Sequence, residues 1–297
     1  IGAATTHIRI GSGGVMLPHY AAYKVAGQFR VLEALAPGRI DLGVGRAPGS
    51  DGRTAFALNP DAARAAERFP NQIMEILGWH GDGLPEGHPF ASIIAQPATT
   101  TRPQMWVLGS SDYGAQVAGY FGLPYCFAHF FSDGGGSEQV IEVYRQSFQP
   151  KPDMPARLAA PYPALGVFCL VADTEAEARR LFRSRELWRL KRDRGMFLPL
   201  PSVEEAEAYP YSDLELARLE QIRAQAMVGT SMPPARPSPP ASRDCRSARM
   251  SRVARRDSSM RAVASRTAAV TKYRRSRGSS CHARSSLCFR GVSMACA

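Results

Sequence analysis

The stretch RIDLGVGRAPGSD, residues 39–51, runs from a strand-like apolar segment into a cluster of glycines around Arg46. Glycines after a strand are typical of loops that bind nucleotide phosphates, because a phosphate can approach a backbone without side chains. The dinucleotide-binding pattern G-x-G-x-x-G is excluded, since Pro48 stands where the third glycine is required and Gly49 comes one residue late. These residues alone leave open what an arginine at the end of this strand binds, and a surface ion pair is one alternative.

Two serines, Ser110 and Ser111, form a second polar group where the segments QMWVLGSS and SDYGAQVAGYFG meet. The first segment is typical of a buried strand, and the second of a short helix capped by Ser111 or Asp112. Hydroxyls and free N–H groups at a helix N-terminus can face an anion. The alternative is a plain N-cap, and the two roles are compatible because a capping serine can also line a phosphate site.

The histidines and cysteines are weaker candidates. His129 lies at the end of the strand-like segment LPYCFAHF and His19 follows the segment VMLP, but lone histidines at such places are usually structural. Cys126 and Cys169 each lie in an apolar run, and we expect both to be small core residues. No metal site is predicted, because the spacing of the remaining cysteines matches no zinc-binding pattern: Cys245, Cys281, Cys288 and Cys296.

Strand-like and helix-like segments alternate through residues 1–228, which predicts an α/β fold with a parallel sheet covered by helices. An open doubly wound sheet and a (β/α)8 barrel both fit this alternation, and both place their sites at the carboxyl ends of the strands. The expected strands are residues 7–13, 39–46, 104–111, 123–130 and 164–173. The expected helices are residues 23–39 up to a stop at Pro37-Gly38, 61–78 with a restart at Pro70, 111–122, 137–148 and 174–190.

Two of these helices carry more specific signals. In the first, one helical face is apolar and is expected to point toward the core; its residues are Val25, Phe29, Leu32 and Leu35. The last helix opens with Thr174 and Glu177 at the spacing of an N-terminal capping pattern.

The net charge of the 297-residue chain is +11, which taken alone hints at an anionic partner such as nucleic acid. Residues 231–297 hold fourteen Arg and one Lys against two Asp, a net charge of +13, which leaves −2 for residues 1–230. The segment 231–297 has no Ile or Glu and only one Leu, so it is predicted to be a disordered basic tail. We see no signal peptide and no apolar run of membrane-spanning length, and we expect a cytoplasmic protein.

Two segments together resemble the luciferase-like, flavin-dependent oxidoreductases, in particular the bacterial luciferase-like monooxygenases. They are ATTHIRIGSGGVMLPHYAAYKVAGQFRVLEALAPGRIDLGVGRAPGSD and MWVLGSSDYGAQVAGYFGLPYCFAHFF, in that order. The resemblance covers about residues 1–229. It implies a TIM-barrel-like fold that binds FMN at the carboxyl ends of its strands.

The resemblance also implies roles for individual residues. The peptide Gly13-Gly14 is expected to be a non-prolyl cis bond under the flavin ring, with a simple glycine turn as the alternative. Arg46 is expected to reach the flavin phosphate, whose oxygens a guanidinium can bind in pairs. His19 and His129 match positions near the cleft. The full set of expected cofactor-binding residues is Gly13, Gly14, Arg46, Gly109, Ser110 and Ser111.

The implied reaction uses reduced FMN and O2 to oxygenate a small organic substrate, with the flavin reduced by NAD(P)H directly or through a reductase. Coenzyme F420 is the alternative cofactor, because F420-dependent reductases share this fold. The chain could instead be a fragment without function or a nucleic-acid binder that acts through the basic tail, although nucleic acid is the less favoured partner. We expect no membrane partner; a flavin reductase and a homo-oligomer stay open as partners.

The sequence departs from the family at both ends. Family members carry two strands and their helices before a segment like ATTHIRIG, and continue after a segment like Val228-Gly229-Thr230 with a Pro-Glu-rich helix start. We therefore expect residues 1–230 to form an incomplete TIM (β/α)8-type barrel of about five of the eight strands. We expect residues 231–297 to be disordered or translated out of frame.

Overall fold

A computed structural model describes residues 1–131, 136–151, 153–154 and 157–230 of the chain. They form two compact units, Ile1–Val167 and a second that begins at Phe168. No helix within the described ranges is long and apolar enough to cross a membrane. The basic segment 231–297 lies outside the described residues, so the expectations for that segment and its cysteines stay predictions.

The elements of the first unit alternate as the sequence predicts. Its strands are β1 (Ile10–Met16), β2 (Ile40–Gly45), β3 (Gln104–Gly109), β4 (Tyr125–Phe127) and β5 (Pro163–Leu165). Its helices are α1 (Ala22–Leu35), α2 (Gly52–Leu58), α3 (Ala62–Glu67), α4 (Phe69–Leu77), α5 (Asp112–Phe121) and α6 (Ser137–Ser147). The second unit contains β6 (Cys169–Ala172), α7 (Glu175–Asp193), α8 (Val203–Ala208), α9 (Asp213–Gln225) and β7 (Met227–Thr230).

The sheet of the first unit has five parallel strands in sequential order, β1 to β5. Parallel strands in this order, joined by helices, are the arrangement from which TIM barrels are built. Within the described residues β1 and β5 each pair on one side only, so this sheet is open. The predicted α/β class and the five-stranded part of a barrel are confirmed.

The core of the first unit lies between this sheet and its helices. In β2, the three successive residues Leu42, Gly43 and Val44 are buried, as a parallel strand covered on both faces requires. Helix α4 has Pro70 in its first turn, which confirms the predicted restart, and it buries Ile73 and Ile76. The helix start predicted from Pro70 and the apolar residues of β2 and α4 therefore agree with the observed helix boundary and burial.

The inward face of α1 differs from the predicted one. Its buried residues are Ala22, Val25, Ala26, Phe29 and Glu33. Leu32 and Leu35 are 43% and 76% exposed, so their predicted place on the core-facing side was wrong. Glu33 is buried on the inward side, where its carboxylate accepts a hydrogen bond from the N–H of Gly38 at 2.6 Å. That bond closes the turn after the helix.

The predicted strand 164–173 was wrong as a single strand. The chain leaves β5 at Leu165 and begins β6 at Cys169, which pairs with Met227 of β7 in a separate two-stranded parallel sheet. Cys169 is exposed and is not the core residue that we predicted, because β6 is half exposed along its length. Cys126 in β4 is buried, as predicted. Strand β7 was not predicted, because its four residues, two exposed and two half-exposed, show no clear alternation.

The helices of the second unit begin at capped residues. The Thr174 hydroxyl accepts the N–H of Glu177 at 3.1 Å, which confirms the predicted cap of α7. Helices α8 and α9 both begin with a reciprocal capping box, in which the serine and the glutamate three residues later each bond the other's backbone N–H.

His80 is a buried polar residue in the turn that follows α4. Its Nε2 lies 3.2 Å from the carbonyl oxygen of Ala26, so this nitrogen carries the proton and donates. Burial, with smaller contributions from the nearby Arg30 and Arg102, lowers the pKa of His80 to about 4, although the hydrogen bond to Ala26 acts in the opposite direction. The imidazole is therefore neutral at physiological pH.

We expect the substitutions Val25→Ala and Val31→Ala to distinguish the inward from the outward face of α1. Val25 is 1% exposed and Val31 is 47% exposed, so the same chemical change is made on opposite sides of one helix. Val25→Ala should lower the free energy of unfolding by about 2 kcal/mol, because it leaves a cavity. Val31→Ala should change it by less than about 0.5 kcal/mol. Urea denaturation measures both, and equal losses would contradict the observed face.

We expect His80→Gln to flatten the acid side of the stability profile. The unfolded chain takes up a proton at this histidine near its ordinary pKa of about 6.5, whereas the folded chain does so near pH 4. Stability is therefore lost as the pH falls between these values, by about 2–3 kcal/mol from pH 7 to pH 4.5. Urea denaturation of both proteins at the two pH values tests this. Identical pH dependence in wild type and variant would show that the imidazole is not held neutral.

Candidate functional site

Most of the predicted site residues follow the carboxyl ends of neighbouring strands. Gly13-Gly14 lies in β1, Arg46 comes directly after β2, Ser110 and Ser111 follow β3, and His129 comes two residues after β4. Since β1 to β4 are consecutive neighbours in a parallel sheet, these ends meet at one edge. The fold therefore brings Arg46, the two serines and His129 to the same side of the first unit, and Gly13-Gly14 lies two residues before the end of β1.

The peptide bond Gly13-Gly14 is cis, as the resemblance implies. A Cβ on Gly14 would stand 2.6 Å from Cδ1 of Leu108 and 2.7 Å from the carbonyl oxygen of Gly43, so β1 lies tight against its neighbours here. A Cβ on Gly13 would meet nothing within 4 Å. Both glycines are exposed, and they present a bare stretch of backbone that a flat group can approach.

Arg46 lies over an aromatic ring. Its Cζ lies 4.2 Å from the ring centroid of Tyr113, in the first turn of α5. The arginine is exposed, and no carboxylate in the described part of the chain pairs with it. The surface ion pair considered for Arg46 is thus not formed with any described residue, and the guanidinium lies beside the start of α5.

The first backbone N–H groups of α5 are not capped by the Ser111 side chain. Ser111 occupies the N-cap position with extended backbone, but its hydroxyl makes no capping hydrogen bond, so the predicted serine cap is only positional. Asp112 places a carboxylate in the first turn, where it complements the helix dipole. Ser110 and Ser111 are both exposed. Their hydroxyls and the first N–H groups of the helix can therefore bind an anion.

Tyr125 fixes this turn from the sheet side. Its buried hydroxyl lies 3.3 Å from the carbonyl oxygen of Ser111 and donates a hydrogen bond to it. Burial raises the pKa of Tyr125 above its ordinary value, so the hydroxyl stays protonated and remains a donor. The ring also packs against Gly109 and Gly114, where a Cβ would come within 3.6 and 3.5 Å of it.

The two histidines lie at the same edge but in different settings. The His19 Nε2 lies 3.0 Å from the carbonyl oxygen of Pro48, which ties the turn after β1 to the loop after β2, and its Nδ1 is buried without a hydrogen-bond partner. His129 is half-buried and follows Ala128, whose N–H donates to the carbonyl oxygen of Gly109 at 2.8 Å. His19 thus has a structural contact, and a catalytic role of either histidine stays a prediction.

Sequence reasoning missed three contributors to this edge. Tyr113 and Tyr125 stand within the segments that carry the resemblance, but nothing in their spacing identifies them as partners of Arg46 and Ser111. The third is the contact of Met16 with Gly49: a Cβ on this glycine would collide with Sδ of Met16. Gly49 has a φ of +69°, a conformation that also favours glycine. Gly49, whose position does not fit a dinucleotide pattern, therefore brings the loop after Arg46 into contact with the end of β1.

Comparison with known proteins identifies relatives over the same part of the chain. Residues 1–232 match the family model described as luciferase-like monooxygenase. An uncharacterized protein of Bacillus subtilis, YceB, is 40% identical over 230 residues, which cover 77% of this chain and 68% of that protein. The N-acetyl-S-alkylcysteine monooxygenase of the same organism is 37% identical over 209 residues, 70% of this chain and 61% of the relative.

A solved structure agrees with these matches. Apo-MsnO8 superposes with a TM-score of 0.63 at 33% sequence identity, over 77% of this chain and 66% of that chain. The chain thus spans about two thirds of the length of these relatives. Family model, identities and fold agree with the resemblance seen in the sequence, and the chain belongs to the luciferase-like, flavin-dependent monooxygenase family.

Proposed function

We propose that this chain is the flavin-binding part of a monooxygenase and that it binds FMN at the carboxyl edge of β1 to β3. The observation that carries the proposal is that the Arg46 guanidinium is exposed and not paired with a described carboxylate. This exposed guanidinium has no carboxylate partner among the described residues and lies over Tyr113, beside the open start of α5. A cation held next to free N–H groups and two exposed serines suits a phosphate.

The residues present fit the two ends of FMN. A flat ring needs an approachable surface, which the open backbone at Gly13 and Gly14 offers. A phosphate dianion needs donors and positive charge, which Arg46, Ser110 and Ser111 can supply. Asp112 in the same turn opposes a dianion, so the guanidinium has to carry the attraction.

Reduced FMN would supply the reaction with O2 that oxygenates a small organic substrate. The chain's own residues would bind and orient the cofactor and keep water from the reacting atoms. Phe130 and Phe131 follow β4 with their ring centroids 4.4 Å apart, next to His129, and they offer an apolar wall at this edge. His129 is the residue we propose to hydrogen-bond a substrate there. Reduction by NAD(P)H, directly or through a reductase partner, completes the proposed cycle.

The substrate class is proposed by analogy with one relative. The name of the Bacillus subtilis relative states activity on N-acetyl-S-alkylcysteines, which are thioethers with an acylated amino acid. An N-acetyl-S-alkylcysteine is therefore the first compound to test with this chain.

We expect Arg46→Ala to weaken FMN binding by about 10- to 100-fold, because a charge-assisted bond to phosphate contributes about 1.5–3 kcal/mol. Riboflavin, which lacks the phosphate, should bind wild type and variant equally. Fluorescence titration measures both affinities. Arg145→Ala is the matched control, since Arg145 is an exposed arginine in the last turn of α6, where its contact is with Glu142 of the same helix. Unchanged FMN affinity in Arg46→Ala would remove this residue from the site, and tight binding of F420 without FMN binding would favour the reductase alternative.

We expect the FMN-loaded chain, reduced without oxygen and then exposed to ¹⁸O-labelled O2, to transfer one labelled atom to an N-acetyl-S-alkylcysteine. Mass spectrometry of the product measures the label. The second labelled atom of O2 should appear in water. Release of all the oxygen as hydrogen peroxide, with unlabelled substrate, would contradict a monooxygenase.

A further inference from the structure

We propose that Tyr113 is a positioning residue that holds the Arg46 guanidinium for the cofactor phosphate. The inference rests on the proposed function, because it concerns the same phosphate site. It adds a residue that neither the sequence motif nor the family match singles out.

The contact with the Tyr113 ring holds the Arg46 guanidinium without pairing it with an anion. The Cζ of Arg46 lies over the Tyr113 ring at 4.2 Å from its centroid, which is the position of a cation–π contact. The N–H groups of a guanidinium point outward in its plane, and these edges bind paired oxygens. A ring carries no net charge, so this contact can hold the guanidinium without neutralising it.

Pairing with a carboxylate would have the opposite effect, because it would consume both the charge and the N–H edges. The Asp112 carboxylate precedes Tyr113 directly, and Arg46 forms no ion pair with it or with any other described carboxylate. An aromatic support therefore keeps the cation available, whereas an acidic support would neutralise it.

Tyr113 is itself held in place. It is partly buried and packs against the core of the first unit, while Arg46 is exposed. The turn that carries it is fixed by the hydrogen bond from the Tyr125 hydroxyl to the Ser111 carbonyl and by packing of the Tyr125 ring on Gly114. A long, exposed side chain that would otherwise sample many rotamers is thus supported on a fixed platform.

The test is a thermodynamic cycle with two ligands, FMN and riboflavin. Affinities are measured by fluorescence titration for wild type, Tyr113→Ala, Tyr113→Phe, Arg46→Ala and the double variant Arg46→Ala/Tyr113→Ala. We expect Tyr113→Ala to weaken FMN binding about threefold to tenfold and to leave riboflavin binding unchanged. Tyr113→Phe should keep the wild-type preference for FMN, because the stacking ring remains. The double variant should bind FMN no more weakly than Arg46→Ala alone.

Tyr120→Ala is the matched control, because Tyr120 is an exposed tyrosine of the same helix that contacts Lys151 instead of Arg46. It should leave both affinities unchanged. Riboflavin affinity in every variant also reports whether the site is still folded.

Three results would overturn the inference: an unchanged FMN-to-riboflavin preference in Tyr113→Ala, an equal loss for both ligands, or a further loss of FMN affinity when Tyr113→Ala is added to Arg46→Ala. Failure of the proposed function has a different pattern. A wild-type chain that does not prefer FMN over riboflavin overturns the phosphate site and the inference together. A preference that is lost in Arg46→Ala and kept in Tyr113→Ala overturns the inference alone.

Discussion

The parallel pairing of β2 with β3 is the constraint on which the candidate site depends. Val44 is in register with Val107, so the residues that follow them leave the sheet side by side. Arg46 comes two residues after the first, and Ser110 comes three residues after the second. The guanidinium therefore reaches the start of α5 without a long loop, and the glycines around it let the strands approach closely.

Arg46 differs in its charge balance from two ion-paired arginines of the first unit. Arg9 is paired with Asp41 at 2.7 Å, and the buried Arg157 with the buried Asp82 at 3.0 Å. Both pairs tie segments together, and the second also balances a buried cation, which would be costly without a partner. Arg46 is exposed to water and rests on an aromatic ring, so it can stay charged and unpaired at little cost. Such a group is suited to a ligand that brings its own negative charge.

The residues at the strand ends could be predicted because their signals are local. A glycine pair in β1, an arginine directly after β2 and two serines before α5 stand in the sequence beside the elements that position them. The contact of Tyr113 with Arg46 depends on strand register, which no local pattern encodes. Leu35 and Cys169 were placed wrongly for a related reason: apolar character predicts burial, but tertiary contacts decide which face of an element turns inward.

The most direct measurement of the phosphate contact is a ³¹P NMR titration of FMN bound to the chain between pH 5 and pH 8. A guanidinium and free N–H groups of α5 around the phosphate would favour its dianion, so its second pKa should fall well below the value of about 6 for a free phosphate monoester. The bound resonance would then stay constant through this range. A bound phosphate that titrates like free FMN would contradict the role assigned to Arg46.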